Sequence, residues 1–295
     1  MPSPDVFDDG TVRLLHGDAR DVAATLPSAS VQAIVTSPPY FGLRQYEQPG
    51  QYGAEASLGD YIDHLTGLFD ELWRVLADDG TLWLNLGDSY ASQPGAARGA
   101  DSELAGRKHG AAQIRTGGTR RKKAGVDGSR KNLLGVPWRV AFALQDAGWI
   151  LRSDIIWRKS NALPESVTDR PTRAHEYVFL FAKSDRYYFD ADAIAEPSRK
   201  RPGEVVNRRT VWDIPTVPSV GSHEAVFPPD LPRLAIRAGT RPGDTVLDPF
   251  SGSSTTGAVA ALEGRQYVGI DLNRDYLEQS VRERFSQPVL PWAAA

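Results

Sequence analysis

Two successive prolines arrest a strand in this chain, and that arrest limits what the residues around it can build. The apolar run Val31-Gln32-Ala33-Ile34-Val35 reads as a buried strand, and it stops at Thr36-Ser37-Pro38-Pro39-Tyr40. Proline fixes φ and has no N–H, so neither Pro38 nor Pro39 extends a sheet ladder. The pair holds the carbonyls of Ser37 and Pro38 in a set direction, with Tyr40 projecting beyond them. Taken alone, these residues describe either a rigid turn over a core tyrosine or a stiffened set of polar acceptors.

Strands and helices alternate on both sides of this point. Residues 11–15 read as a strand ending at His16-Gly17-Asp18-Ala19, and a helical stretch at 21–26 returns the chain to the central strand. Such a strand–helix–strand rhythm favours a parallel sheet. Asp60 is a good cap for a helix over 61–77, where Tyr61, Leu65, Leu68, Phe69, Leu72 and Leu76 recur three or four residues apart. Asp78-Asp79-Gly80 ends it, and 81–86 is the next strand. A helix begins at Pro137-Trp138 and stops at Gly148. Two β-rich runs, 150–157 and 177–183, follow and make a hairpin at one edge of the sheet. After a short helix at 231–238 comes the most regular unit: a strand at 245–247, a helix at 255–262, a strand at 266–270 and a closing helix at 276–285.

Composition narrows the function. The chain has 295 residues and no cysteine, which excludes disulfides, thiolate metal sites and a cysteine nucleophile. No metal site is expected. No apolar run approaches the ~18–20 residues of a membrane span, and residues 1–9 lack the basic and apolar regions of a signal peptide, so a cytoplasmic location is expected. The net charge of −3 means that a nucleic-acid partner has to meet a local basic face. Residues 91–131 offer one, with ten basic side chains against three acidic ones and no apolar periodicity. It includes Arg120, Arg121, Lys122 and Lys123. A second irregular, Pro-rich stretch, 185–222, carries Arg199-Lys200-Arg201 and Arg208-Arg209.

The run Val246-Leu247-Asp248-Pro249-Phe250-Ser251-Gly252-Ser253-Ser254-Thr255-Thr256-Gly257 is a strand, a turn of small residues and a helix, and Asp271 closes the following strand. This is the nucleotide-binding layout of an open α/β sheet, in which small residues admit a ligand and the second acid takes ribose hydroxyls. The G-x-G-x-x-G spacing of a dinucleotide site is absent, and an acid at the strand tip repels phosphate. Asp248 suits a cationic ligand instead, such as the ammonium and sulfonium of S-adenosylmethionine.

These motifs resemble the amino-methyltransferases of DNA, specific for cytosine N4 or adenine N6, in their permuted order, with the catalytic motif early and the cofactor motif late. Ser37-Pro38-Pro39-Tyr40 matches the catalytic motif. Asp248-Pro249-Phe250-Ser251-Gly252-Ser253 matches the cofactor motif, except that Ser254 stands where the family has its last glycine. The resemblance implies a Rossmann-like S-adenosylmethionine-dependent methyltransferase sheet, α/β and mostly parallel, with the antiparallel hairpin at its edge. It implies a single catalytic domain over 1–295, with the basic insert at 91–131 and a small target-recognition region at about 185–222. Cofactor contacts carry over to Asp18 for the adenine and Asp271 for the ribose, to Asp248, Pro249, Phe250, Gly252, Ser253, Ser254 and Thr255 in the turn, and to His223, Phe227 and Pro228 near the methionine end. DNA contacts are expected from Arg120, Arg121, Lys122, Lys123, Arg199, Lys200, Arg201, Arg208 and Arg209, which grip phosphates for the most part.

The chemistry follows from the residues. An exocyclic amine is a poor nucleophile because its lone pair is conjugated with the base. Acceptors that pull its hydrogens out of plane restore reactivity, and the Ser37 hydroxyl and Pro38 carbonyl are such acceptors, with Tyr40 stacking on a base flipped from the duplex. Methylation at cytosine C5 needs a thiol adduct and is excluded. Serine at position 37 resembles the N4-cytosine enzymes, with N6-adenine the alternative. The expected partner is double-stranded DNA, in a setting that includes a restriction endonuclease counterpart; the choice between monomer and homodimer stays open.

Overall fold

The structure, a computed structural model, describes residues 5–42, 50–91, 131–217 and 228–285. Most of the basic insert, including Arg120 to Lys123, lies outside the described residues, as do His223 and Phe227. In chain order the elements are β1 (Asp5–Asp8), β2 (Val12–His16), α1 (Ala19–Thr25), β3 (Val31–Thr36), α2 (Leu58–Val75), β4 (Leu76–Leu86), α3 (Val136–Asp146), β5 (Ile150–Arg158), β6 (His175–Ala182), β7 (Glu196–Pro197), β8 (Val205–Val206), β9 (Val211–Asp213), α4 (Asp230–Gly239), β10 (Thr245–Asp248), α5 (Thr255–Leu262), β11 (Gln266–Asp271) and α6 (Arg274–Ser280).

One sheet runs β1-β2-β11-β10-β3-β4-β6-β5-β9. Its centre, β2, β11, β10, β3 and β4, is parallel throughout. The strand β6 joins antiparallel to β4, and β5 antiparallel to β6. Both faces of the centre are covered, which is why these strands read as near-continuous apolar runs. In β3, Val31 and Ile34 enter the layer that holds α1, α2 and α3. Ala33 and Val35 enter the opposite layer with α4, α5 and α6. The α2 stripe Tyr61, Leu65, Leu68, Phe69 and Leu72 is fully buried. At ~1.5–3 kcal/mol per large apolar side chain, it contributes on the order of 10 kcal/mol of gross burial.

Two boundaries differ from the sequence expectation. Ser57, not Asp60, caps α2: its hydroxyl accepts from the Asp60 N–H at 3.1 Å, and Asp60 sits in the first turn, where its charge complements the helix dipole. The helix also ends at Val75, and β4 begins at once because Leu76 pairs with Val31. Asp78-Asp79-Gly80 thus belongs to the strand, and Gly80 passes where a Cβ would come 2.6 Å from Leu76 Cδ1.

The expected hairpin of β5 and β6 is present, but β9 adds a further parallel strand outside it. Residues 185–217, expected to be irregular, are packed rather than loose. The Trp212 and Phe189 rings stack on Trp83 with centroids 6.1 and 6.3 Å away, and β7 and β8 form a small ribbon. No described helix is long and apolar enough to cross a membrane.

Candidate active site

The strands β3 and β10 are parallel neighbours, yet the helices that follow them lie in opposite layers. A gap therefore opens beyond their carboxyl ends, the place where open α/β sheets bind ligands. Thr36 ends β3 and Asp248 ends β10, and the Thr36 hydroxyl donates to Asp248 Oδ1 at 2.7 Å. The proline-stiffened turn and the acidic turn, 212 positions apart in sequence, thus meet at one point. Asp248 Oδ1 also accepts from the Phe250 N–H at 3.1 Å, and Oδ2 accepts from the Thr256 hydroxyl at 2.9 Å. Burial outweighs these three bonds and pushes the carboxyl up to about 6, with Asp271 adding to the effect.

Beyond Asp248 the chain turns through Gly252 and Ser254, both left-handed at φ 50° and 53°. The turn is pinned by Asp271, whose Oδ2 accepts from the Gly252 N–H at 2.7 Å while Oδ1 accepts from Asn273 N–H at 2.8 Å. Ser254, the departure from the family glycine, points under the turn. It is fully buried, its Oγ lies 2.9 Å from Ser251 Oγ, and that hydroxyl in turn meets Tyr267 Oη at 2.8 Å. A left-handed non-glycine residue is destabilising by ~1–2 kcal/mol, and a buried hydrogen bond of about 1 kcal/mol offsets much of that. Thr255 opens α5 and is buried, and Ser253 lies beside it with hydroxyls 3.4 Å apart.

On the other side of Asp271 stands Asp18, which caps α1 by accepting from Arg20 N–H at 2.9 Å and Asp21 N–H at 3.2 Å. Gly17 N–H donates to the Asp271 carbonyl at 3.0 Å. Asp18, Asp271 and Asp248 therefore line the carboxyl ends of three consecutive strands, β2, β11 and β10. Phe250 is half-buried and meets Tyr52 edge-on at 5.1 Å, and Tyr52 stacks on His64 at 3.8 Å. Burial, then the Asp18 carboxylate, pushes the Tyr52 hydroxyl up. Among the described residues, Tyr52 Oη and Glu55 Oε2 are the buried side-chain polar atoms without a partner.

The Ser37 hydroxyl lies 3.3 Å from Tyr40 Oη, and Tyr40 Oη lies 2.6 Å from Glu176 Oε2 and 3.1 Å from Asn85 Oδ1. Asn85 donates to Glu176 Oε2 at 3.2 Å and to the Tyr177 carbonyl at 3.0 Å, and Lys159 Nζ donates to Glu176 Oε1 at 2.5 Å. Tyr61 donates to the Pro39 carbonyl at 2.9 Å and fixes the turn from below. Two glycines make room for Tyr40. A Cβ on Gly87 would stand 2.6 Å from its ring, and one on Gly53 would stand 2.8 Å from its carbonyl oxygen. Tyr40 is thus anchored by its hydroxyl as well as presented by the prolines. Asn85 is legible as the one polar side chain between Leu82 and Leu86. Glu176 and Lys159 are not, because only the pairing of β4 with β6, and of β6 with β5, brings them to the site.

The basic residues of 185–217 divide. Arg208 donates to the Ile194 carbonyl at 2.7 Å, Arg209 is paired with Glu196, and Arg201 pairs with Glu204 at 2.9 Å. Arg199 and Lys200 are exposed.

The model of the DNA methylase family of N6 and N4 enzymes matches residues 31–282. The chain is 50% identical over 268 residues to the Type II methyltransferase M.Cfr9I of Citrobacter freundii, covering 91% of this chain and 86% of that protein. It is also 50% identical over 264 residues to the Type II methyltransferase M.SmaI of Serratia marcescens, covering 90% and 87%. Among solved structures, the PvuII DNA methyltransferase (cytosine-N4-specific) superposes with a TM-score of 0.71 at 20% identity, covering 98% of this chain and 91% of that one. A putative DNA modification methylase from Thermus thermophilus, complexed with S-adenosyl-L-methionine, superposes at 0.60 with 24% identity, covering 93% and 95%.

Proposed function

We propose that this chain, which belongs to the DNA methylase family of N6 and N4 enzymes and is a methyltransferase of DNA, places its methyl group on the exocyclic N4 amine of cytosine. The observation that carries the reading is the direct bond between Thr36 and Asp248, which makes the acceptor turn and the acidic turn two walls of one site. The residues fit S-adenosylmethionine: three carboxylates share one rim beside the half-buried Phe250, and the orphaned hydroxyl of Tyr52, which packs on Phe250, lies close enough to Asp18 to feel its charge. When bound, that cofactor supplies the methyl group on a sulfonium.

Asp248 holds a cationic head by its charge, and Asp18 and Asp271 accept from amine and hydroxyl groups. Ser37 and the Pro38 carbonyl accept the hydrogens of the target amine, and the prolines keep both acceptors from relaxing away. Because that amine lies inside a paired stack, the base is flipped out, at a few kcal/mol. The absence of cysteine removes the C5 route. The choice of cytosine over adenine rests on Ser37, since the cytosine-N4-specific neighbour bears on the fold alone at 20% identity. The names of the Type II relatives support a restriction–modification setting with duplex DNA as substrate. Incubation with DNA and S-adenosylmethionine, followed by nucleoside digestion, tests this: N4-methylcytosine is expected, and N6-methyladenine in its place overturns the assignment.

A further inference from the structure

The methylated amine has to lose a proton, and Ser37 is too weak a base to keep it. The geometry points to Glu176 as the positioning residue that makes Ser37 an acceptor and takes up that proton through Tyr40, an inference that rests on the amine-transfer reading. Tyr40 has one hydroxyl proton and two acceptors within reach, Glu176 Oε2 at 2.6 Å and Asn85 Oδ1 at 3.1 Å. The nearer acceptor is also the charged one, and a charge-assisted bond is roughly twice as strong as a neutral one. Tyr40 therefore donates to Glu176, and its oxygen is left to accept from Ser37. With its own proton directed inward, the Ser37 hydroxyl presents lone pairs outward.

The groups around Glu176 hold it in place. Lys159, from the loop after β5, bonds Oε1 at 2.5 Å and is itself held over the Trp157 ring. Asn85 of β4 supplies a neutral donor at 3.2 Å. Tyr40 is the remaining titratable contact, and Tyr61 of α2 acts on Tyr40 from the other side. The Glu176 side chain is only 12% exposed, so bulk water does not compete for the chain.

The balance of the step is simple. The amine nitrogen forms its bond to the methyl carbon as the carbon–sulfur bond breaks and its electron pair returns to sulfur. The nitrogen then gives one proton to Ser37 Oγ, Ser37 passes its own to Tyr40 Oη, and Tyr40 passes its own to Glu176 Oε2. A sulfonium and a carboxylate become a thioether and a carboxylic acid, so no charge is stranded in the pocket.

The test is a cycle of E176Q, Y40F and the double variant, read by single-turnover methyl transfer against pH. Each single variant is expected to be about 100-fold slower, within the range of general base catalysis. The double variant is expected to be no slower than either, because both break one chain. With S-adenosylmethionine saturating at every pH, the wild-type rate is expected to fall at acid pH and the E176Q rate to be flat there. By NMR, the Tyr40–Glu176 hydroxyl proton of the ligand-free protein is expected far downfield, absent in Y40F and moved upfield in E176Q. An E176Q enzyme within twofold of wild type, losses that multiply in the double variant, or a shared acid limb overturns the proposal. Wild-type protein that makes no N4-methylcytosine would instead sink the reading on which it rests, and the two failures are separate measurements.

Discussion

Asp248→Asn separates what the buried carboxylate does for the fold from what it does for a ligand. The carboxyl is held at about 6, against about 3.9 for an ordinary aspartate, because its burial is only partly compensated by Thr36, Phe250 and Thr256. Below about pH 4 the group is neutral in folded and unfolded chains alike, and no penalty applies. Between about pH 4 and pH 6 the unfolded chain has released its proton while the folded chain still holds it, so stability falls over that window, and above about 6 the loss is complete. The loss amounts to ~1.5 kcal/mol at pH 5 and ~3 kcal/mol at pH 7.5. Asparagine keeps the shape and cannot ionise. The ligand-free D248N protein is therefore expected to be more stable than wild type, by ~1.5 kcal/mol at pH 5 and ~3 kcal/mol at pH 7.5. The larger gap corresponds to a rise of ~5 °C in melting temperature for a chain of this length. Its affinity for S-adenosylmethionine is expected to drop ~10- to 100-fold, the worth of a charged hydrogen bond. In wild type that affinity weakens as pH falls below about 6. Scanning calorimetry at the two pH values and titration calorimetry with the cofactor measure both. A variant that melts below wild type, or a gap that does not widen with pH, refutes the account of Asp248 as a carboxylate ionised at a cost; unchanged affinity refutes its place in the cofactor site.

Other outcomes follow from the same geometry. Ser37→Ala is expected to slow single-turnover transfer about 100-fold while DNA affinity changes less than twofold; equal loss in both makes Ser37 a structural residue. Gly87→Ala drives a Cβ into the Tyr40 ring, so activity is expected to fall at least tenfold and stability by ~1–3 kcal/mol on chemical denaturation. Ser254→Gly removes both the left-handed strain and the bond to Ser251, and stability within ~1 kcal/mol of wild type with cofactor affinity within threefold is expected. A tenfold change in affinity would mean that Ser254 faces the ligand. Replacing Arg120, Arg121, Lys122 and Lys123 with glutamine is expected to flatten the salt dependence of DNA binding by up to ~3.6 in log–log slope, and an unchanged slope removes that segment from the DNA contact.

The site was half legible, and the division has a physical cause. Features carried by consecutive residues read directly: prolines that stop a strand at Ser37, small residues after Asp248, and strand–helix–strand units that demand a parallel sheet. From those units it follows that strand tips share a rim, which brings Ser37 and Asp248 together without any knowledge of distances. Boundaries slipped where two local signals competed, as when Ser57 outranked Asp60 as a cap and Leu76 left the helix to pair with Val31. Contacts made by side chains from strands paired late were out of reach. Glu176 lies 136 residues from Tyr40, in a strand whose sequence reads as apolar core and whose register with β4 is set by tertiary packing. The segment 185–217 misled for the converse reason. Its prolines and arginines read as an irregular, basic stretch, but Trp212 and Phe189 stack on Trp83 and tie it to the sheet, and Arg208 and Arg209 direct donors to Ile194 and Glu196. A basic cluster in sequence therefore overstates the charge a surface offers to phosphate. Among the described residues of this segment, Arg186, Arg199 and Lys200 are exposed and make no ion pair, so charge reversal at these three is expected to register in DNA affinity ahead of the Glu196-paired Arg209.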